Sequence, residues 1–64
     1  DISEQLRDKV HQAQVLFSLG KLVWDKDIAE GRSFFLRSID ILKSIGDRRS
    51  LARVNQELNK RTTE

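Results

Sequence analysis

Residues 13–47 read AQVLFSLGKLVWDKDIAEGRSFFLRSIDILKSIGD. Two apolar runs flank the polar triplet Asp25-Lys26-Asp27, and the second run closes on Gly46-Asp47. Extended upstream, the first run places Leu6, Val10, Ala13, Phe17, Gly20 and Trp24 at steps of four and three, which is one face of a helix. Leu16, Leu19 and Val23 form a second row beside it. Together the rows make an apolar stripe wider than one antiparallel neighbour covers, so this helix should touch two neighbours, or one neighbour and a ligand. Gly20 costs about 1 kcal/mol relative to alanine in a helix interior. The expected return is close backbone approach by a second helix.

That second helix is expected over residues 28–45. Asp27 followed three places later by Glu30 reads as a capping box at its start. Its apolar face is Phe34, Phe35, Ser38, Ile39, Ile41, Leu42 and Ile45, with the small residues Gly31 and Ser38 on the side where bulk from the first helix can seat. Gly46 is placed to terminate it in the left-handed conformation, and Asp47 to cap a third helix over residues 48–60. The third stripe, Leu51, Ala52, Val54 and Leu58, is narrower, and the tail from Arg61 onward is expected to fray. Residues 3–24, 28–45 and 48–60 thus form an all-α fold: an antiparallel helical hairpin with a third packing helix, joined by two short turns.

At 64 residues the chain is a single small domain. A chain of this size buries only about 60% of the surface its unfolded form exposes, so its stability is marginal. It has no cysteine and one histidine, which removes disulfides and thiolate metal sites and leaves no basis for an imidazole zinc site. No cofactor is expected. No apolar run approaches the roughly 20 residues that span a bilayer, and no signal-peptide pattern occurs. A cytoplasmic location is the expectation. The chain starts at Asp1 and contains no methionine, so it is expected to be a fragment of something longer. Residues 1–45 balance seven basic against seven acidic side chains. The net charge of +2 arises after Ile45, from Arg48, Arg49, Arg53, Lys60 and Arg61 against Asp47, Glu57 and Glu64. A basic last helix hints at an acidic partner, beside the plainer reading of a solvated face.

The hairpin resembles a tetratricopeptide repeat, a 34-residue helix–turn–helix unit. Leu16, Leu19, Gly20 and Val23 fill the family's positions in the first helix, and Gly31, Phe35 and Ser38 match in kind those of the second. The close on Gly46-Asp47 is similar to variant repeats that lack the usual proline, and Leu51, Ala52, Val54 and Leu58 look like the start of a following repeat or a capping helix. Two departures stand out. The spacing from Gly20 to Gly31 is one residue short of the pattern, and glycine and serine replace the usual alanines. The first helix also begins well upstream of the matching part. A single repeat does not bury its own faces, and about three are normally needed. The resemblance therefore implies an excised piece, a self-associating unit or one stabilised by a partner.

Catalytic chemistry finds no support in the residue types. His11, the one histidine, has Asp8 a turn away, but no cysteine or positioned serine accompanies it as a nucleophile. Asp25 and Asp27 sit in a turn, where capping accounts for them, and no phosphate-binding glycine loop occurs. The chain is read as a non-catalytic protein–protein interaction or assembly module that uses an apolar helical face. The resemblance places Phe17, Lys21 and Trp24 on the concave, peptide-binding surface of the family, and buried aromatic anchors often dominate such contacts. The alternative for Phe17 and Trp24 is core packing against the third helix. The family's carboxylate clamp has lysine where Phe17 stands and asparagine where Lys21 stands, so a C-terminal carboxylate ligand is not implied. Arg49 and Arg53 are the weaker candidates, for an acidic partner. Expected partners are a protein or peptide, the rest of a longer chain, or a second copy; no membrane is expected. A self-associating bundle is one alternative. A three-helix nucleic-acid binder reading with its basic last helix is another, but the first two helices are too long for it and no aromatic stacking platform lies there.

Overall fold

The computed structural model describes residues 2–62. Three helices follow one another: α1, Ile2–Trp24; α2, Ile28–Ile45; and α3, Arg48–Thr62. α1 packs antiparallel on α2, and α2 packs on α3. The unit measures 41 × 18 × 12 Å. Its thinnest dimension is about one helix diameter, so every helix leaves a face to solvent. No strand occurs among the described residues, and none of their helices is long and apolar enough to cross a membrane.

Local chemistry sets the turns. Asp27 has extended backbone and its carboxylate accepts the amide of Glu30 at 3.2 Å. The reciprocal half of the expected capping box is replaced by the preceding helix: the Asp27 amide donates instead to the carbonyl of Val23 at 2.7 Å. The turn is too short to free that amide for the Glu30 side chain. At the far end of α2, the Gly46 amide bonds to Lys43 O and the Asp47 amide to Leu42 O, the paired bonds of a Schellman termination. Gly46 takes φ 74°. Asp47 then caps α3 by accepting the Ser50 amide at 3.2 Å. One residue therefore ends α2 and starts α3. Gly46 has no neighbour within 4 Å of an added Cβ, so backbone conformation alone makes glycine necessary there. Gly46→Ala should lower stability by about 1 kcal/mol. Gly46→Asn should cost less, because asparagine tolerates the left-handed region; urea melts of the two variants check the order.

The hairpin closes on small residues in a fixed register. Ala13 meets Ser38, whose buried hydroxyl donates to Ala13 O at 2.8 Å. One heptad further along α1 and one heptad back along α2, Gly20 meets Gly31. A Cβ on Gly20 would lie 2.6 Å from Phe35 Cδ1 and 3.0 Å from Gly31 O. A Cβ on Gly31 would lie 2.8 Å from Gly20 O and 3.0 Å from Trp24 Cα. The helices touch backbone to backbone there, which is what offsets two glycines inside helices.

Beside this crossing sits the core: Ala13, Trp24, Phe35, Ile39, Leu42 and Val54, with Phe17, Ile41, Ile45, Leu51 and Leu58 packed around it. Phe35 is wholly buried, with its ring centroid 5.3 Å from those of Trp24 and Phe17. α3 differs in two respects from its sequence reading. Ala52 is exposed and takes no part in the core. The helix also continues past Lys60 through Thr62, where fraying was expected, while Thr63 and Glu64 lie outside the described residues. The last turn is held because Arg61 Nε donates to Glu57 at 3.0 Å and its guanidinium lies 5.5 Å from the Trp24 ring centroid. α3 thus runs in the same direction as α1, and its end closes over the aromatic cluster.

Candidate functional site

Two features of the surface bear on the residues singled out by sequence. The first is a cleft of about 250 Å³ between α1 and α3, floored by Ala13, Ser38 and Leu42. Phe17 and Ser18 line its α1 wall, Arg53 and Val54 its α3 wall. Of the residues singled out by sequence, the cleft brings together Phe17 and Arg53. Lys21 is exposed beside it and its ammonium lies 4.7 Å from the Phe17 ring centroid, a cation–π distance. Trp24 is 8% exposed, stacked on Phe35 at 24° between ring planes and covered by Arg61. Its side chain belongs to the core and presents little surface to a ligand. Arg49 lies away from the cleft lining, exposed in the first turn of α3 next to Arg48. Cations are disfavoured by the helix dipole at that end, and the Asp47 carboxylate lies beside them as the α3 cap.

The second surface is the outer face of α1, turned away from α2. It carries Val15, Leu19 and Leu22, which are 43%, 38% and 73% exposed. At 3.6 residues per turn, Val15 sits about 160° around the helix from Ala13, the centre of the buried face. Leu22 is the most exposed of the three, while Val15 borders α2 at one edge of this face. Leu16 and Val23 are half-buried along its edge, where a groove of about 580 Å³ between α1 and α2 is lined by Gln12, Val15, Leu16, Arg37 and Ile41. Scattered exposed leucines are ordinary on a small protein; Val15, Leu19 and Leu22 instead lie together on one side of α1.

The sequence stripe contained Leu19 but passed over Val15 and Leu22. The spacing 15, 19, 22 is itself helical. What hid it is that between Ala13 and Trp24 apolar residues cover more than half of the circumference of α1, so no single stripe stands out from its neighbours there. His11 is exposed on α1, and no cluster of metal-binding side chains occurs among the described residues.

The fold and these surfaces define a class: an antiparallel helical hairpin with a third packed helix and an unsatisfied apolar face. Compared with protein-family models, with curated proteins and with solved structures, the chain matches none.

Proposed function

We propose that this protein is a non-catalytic association module, a tetratricopeptide-like hairpin that binds another protein surface through the outer face of α1. The observation that carries the reading is the exposure of Val15, Leu19 and Leu22 on one side of a helix whose other side is already packed. Covering such side chains stabilises a complex by about 25 cal/mol per Å² of apolar surface removed from water, before the costs of association. A hairpin this small also has the most to gain from an added neighbour. The lack of cysteine fits a reducing, cytoplasmic setting as part of the same proposal.

The cleft between α1 and α3 supports a secondary contact. Phe17 and Val54 give it an apolar floor edge, and Arg53 with Lys21 gives it positive charge, so an extended peptide bearing an acidic side chain suits it.

The primary reading is tested by photocross-linking in the native cells. A benzophenone side chain at Leu22, which is exposed enough to accept it without disturbing the fold, should give a discrete protein adduct. The same group at Lys43, exposed on α2, should give none. Equal labelling at both positions, or none at Leu22, would refute the use of this face.

A further inference from the structure

Asp8, Gln12, Val15, Leu19, Leu22 and Lys26 lie on one line along α1 and its terminal turn, at alternating steps of four and three, and all are exposed. Lys26 follows the last helical residue, in the closing turn where its amide donates to Val23 O at 3.0 Å, and is four residues beyond Leu22. A line of this spacing corresponds to the a and d positions of a coiled-coil seam, and here the middle three residues are apolar while Asp8, Gln12 and Lys26 are polar or charged. Asp8, Val15 and Leu22 occupy one of the two positions; Gln12, Leu19 and Lys26 occupy the other.

We infer that the occupant of this face is a second copy of the chain, with the two α1 helices paired antiparallel. The inference rests on the reading above, that the outer face of α1 is the contact surface. Its own ground is charge and register complementarity. When two such seams run in opposite directions, each residue of one set faces a residue of the other set. One alignment uses the whole line. It sets Val15 against Leu19 of the second copy, Gln12 against Leu22 and Asp8 against Lys26, each twice by symmetry. Apolar side chains meet at the centre, and opposite charges meet at both ends, about 27 Å apart at 1.5 Å per residue. Leu16 and Val23 flank the seam on its α2 side and widen the apolar contact. A parallel pair would instead place Asp8 against Asp8 and Lys26 against Lys26, which like-charge repulsion disfavours. Sliding the antiparallel pair by one heptad one way sets Leu19 against Leu22 but places Lys26 on Val15 and leaves Asp8 and Gln12 without partners; sliding it the other way sets Leu19 against Asp8 and leaves Leu22 and Lys26 outside the line. The contact is isologous and closes on itself, so it produces a dimer and not a filament.

The test is sedimentation equilibrium of the 64-residue chain at low salt, with circular dichroism to confirm that each variant is folded. Asp8→Lys alone and Lys26→Asp alone should each weaken the dimer about tenfold, since each reversal turns two attractive end contacts into repulsive ones. The double variant Asp8→Lys, Lys26→Asp should return to within about threefold of the original, because the swapped charges match again. Leu19→Glu should abolish the dimer while leaving helicity intact. A chain that stays monomeric to millimolar concentration overturns the inference, as does a dimer indifferent to both single reversals, which is what a parallel pair would give. These failures are separable from failure of the interaction reading. A monomer whose residue-22 cross-linker captures a different protein leaves the contact face standing and removes only the second copy. Absence of any adduct removes the face itself.

Discussion

Phe35→Ala should abolish cooperative folding. The ring is wholly buried, and both Trp24 and Phe17 pack against it. It also fills the space beside Gly20, where its Cδ1 would lie 2.6 Å from an added Cβ. Truncating a buried phenylalanine typically costs about 3–5 kcal/mol. A core of this size rarely supplies more than about 3–5 kcal/mol in total, so the loss is comparable to the whole stability. Thermal melts followed by circular dichroism should show a broad, non-cooperative decline in place of a transition. The adjacent exposed residue is the control: Leu36 is 48% exposed, and Leu36→Ala should fall within about 0.5 kcal/mol of the original. Both melts belong at one fixed protein concentration, because self-association makes the midpoint concentration-dependent. Comparable midpoints for the two variants would show that the aromatic cluster is not the core of the fold.

Gly31→Leu should separate the hairpin. At Gly31 an added Cβ meets the backbone of α1 on two sides, Gly20 O at 2.8 Å and Trp24 Cα at 3.0 Å. Backbone does not swing aside as the end of a long side chain would, so the helices must move apart, and the Ser38–Ala13 hydrogen bond one heptad away moves with them. Gly31→Ala separates two effects of opposite sign. Alanine gains about 1 kcal/mol of helix propensity over glycine, while overpacking costs about 1–3 kcal/mol. The geometry places the balance on the destabilising side, and Gly31→Leu, which gains similar propensity with far more bulk, should unfold the chain at room temperature. Urea melts of the alanine variant and circular dichroism of the leucine variant check this. A stabilised Gly31→Ala protein would mean that the close crossing is not held in solution. The contrast with Gly46 is informative: there an added Cβ meets nothing, and the penalty comes from φ alone.

The number of helices and both turns were legible in the chain because they depend on groups a few residues apart. Asp27 and Asp47 accept amides three residues ahead, and the Gly46 and Asp47 amides donate to carbonyls three and five residues behind them. Such bonds are written locally, and the boundaries at Ile28, Ile45 and Arg48 adjoin those residues. The small residues Gly20, Gly31 and Ser38 were also visible, and with them the prospect of a close crossing. Which of them meet was decided only in three dimensions. Pairing Gly20 with Gly31, and Ala13 with Ser38, fixes a register between segments separated by the whole hairpin, and no local bond encodes that. The fate of Trp24 was likewise a tertiary matter. Sequence left it as either a binding anchor or core, and the structure buries it by stacking its ring on Phe35 of α2, with Arg61 of α3 over it. The outer seam of α1 shows the same division. Its spacing is present in the chain, but between Ala13 and Trp24 apolar residues cover more than half of the circumference of α1, and only the placement of α2 and α3 shows which apolar side is left uncovered. Local hydrogen-bond chemistry thus determined the elements by itself; burial, which depends on what lies opposite, was decided by the packing.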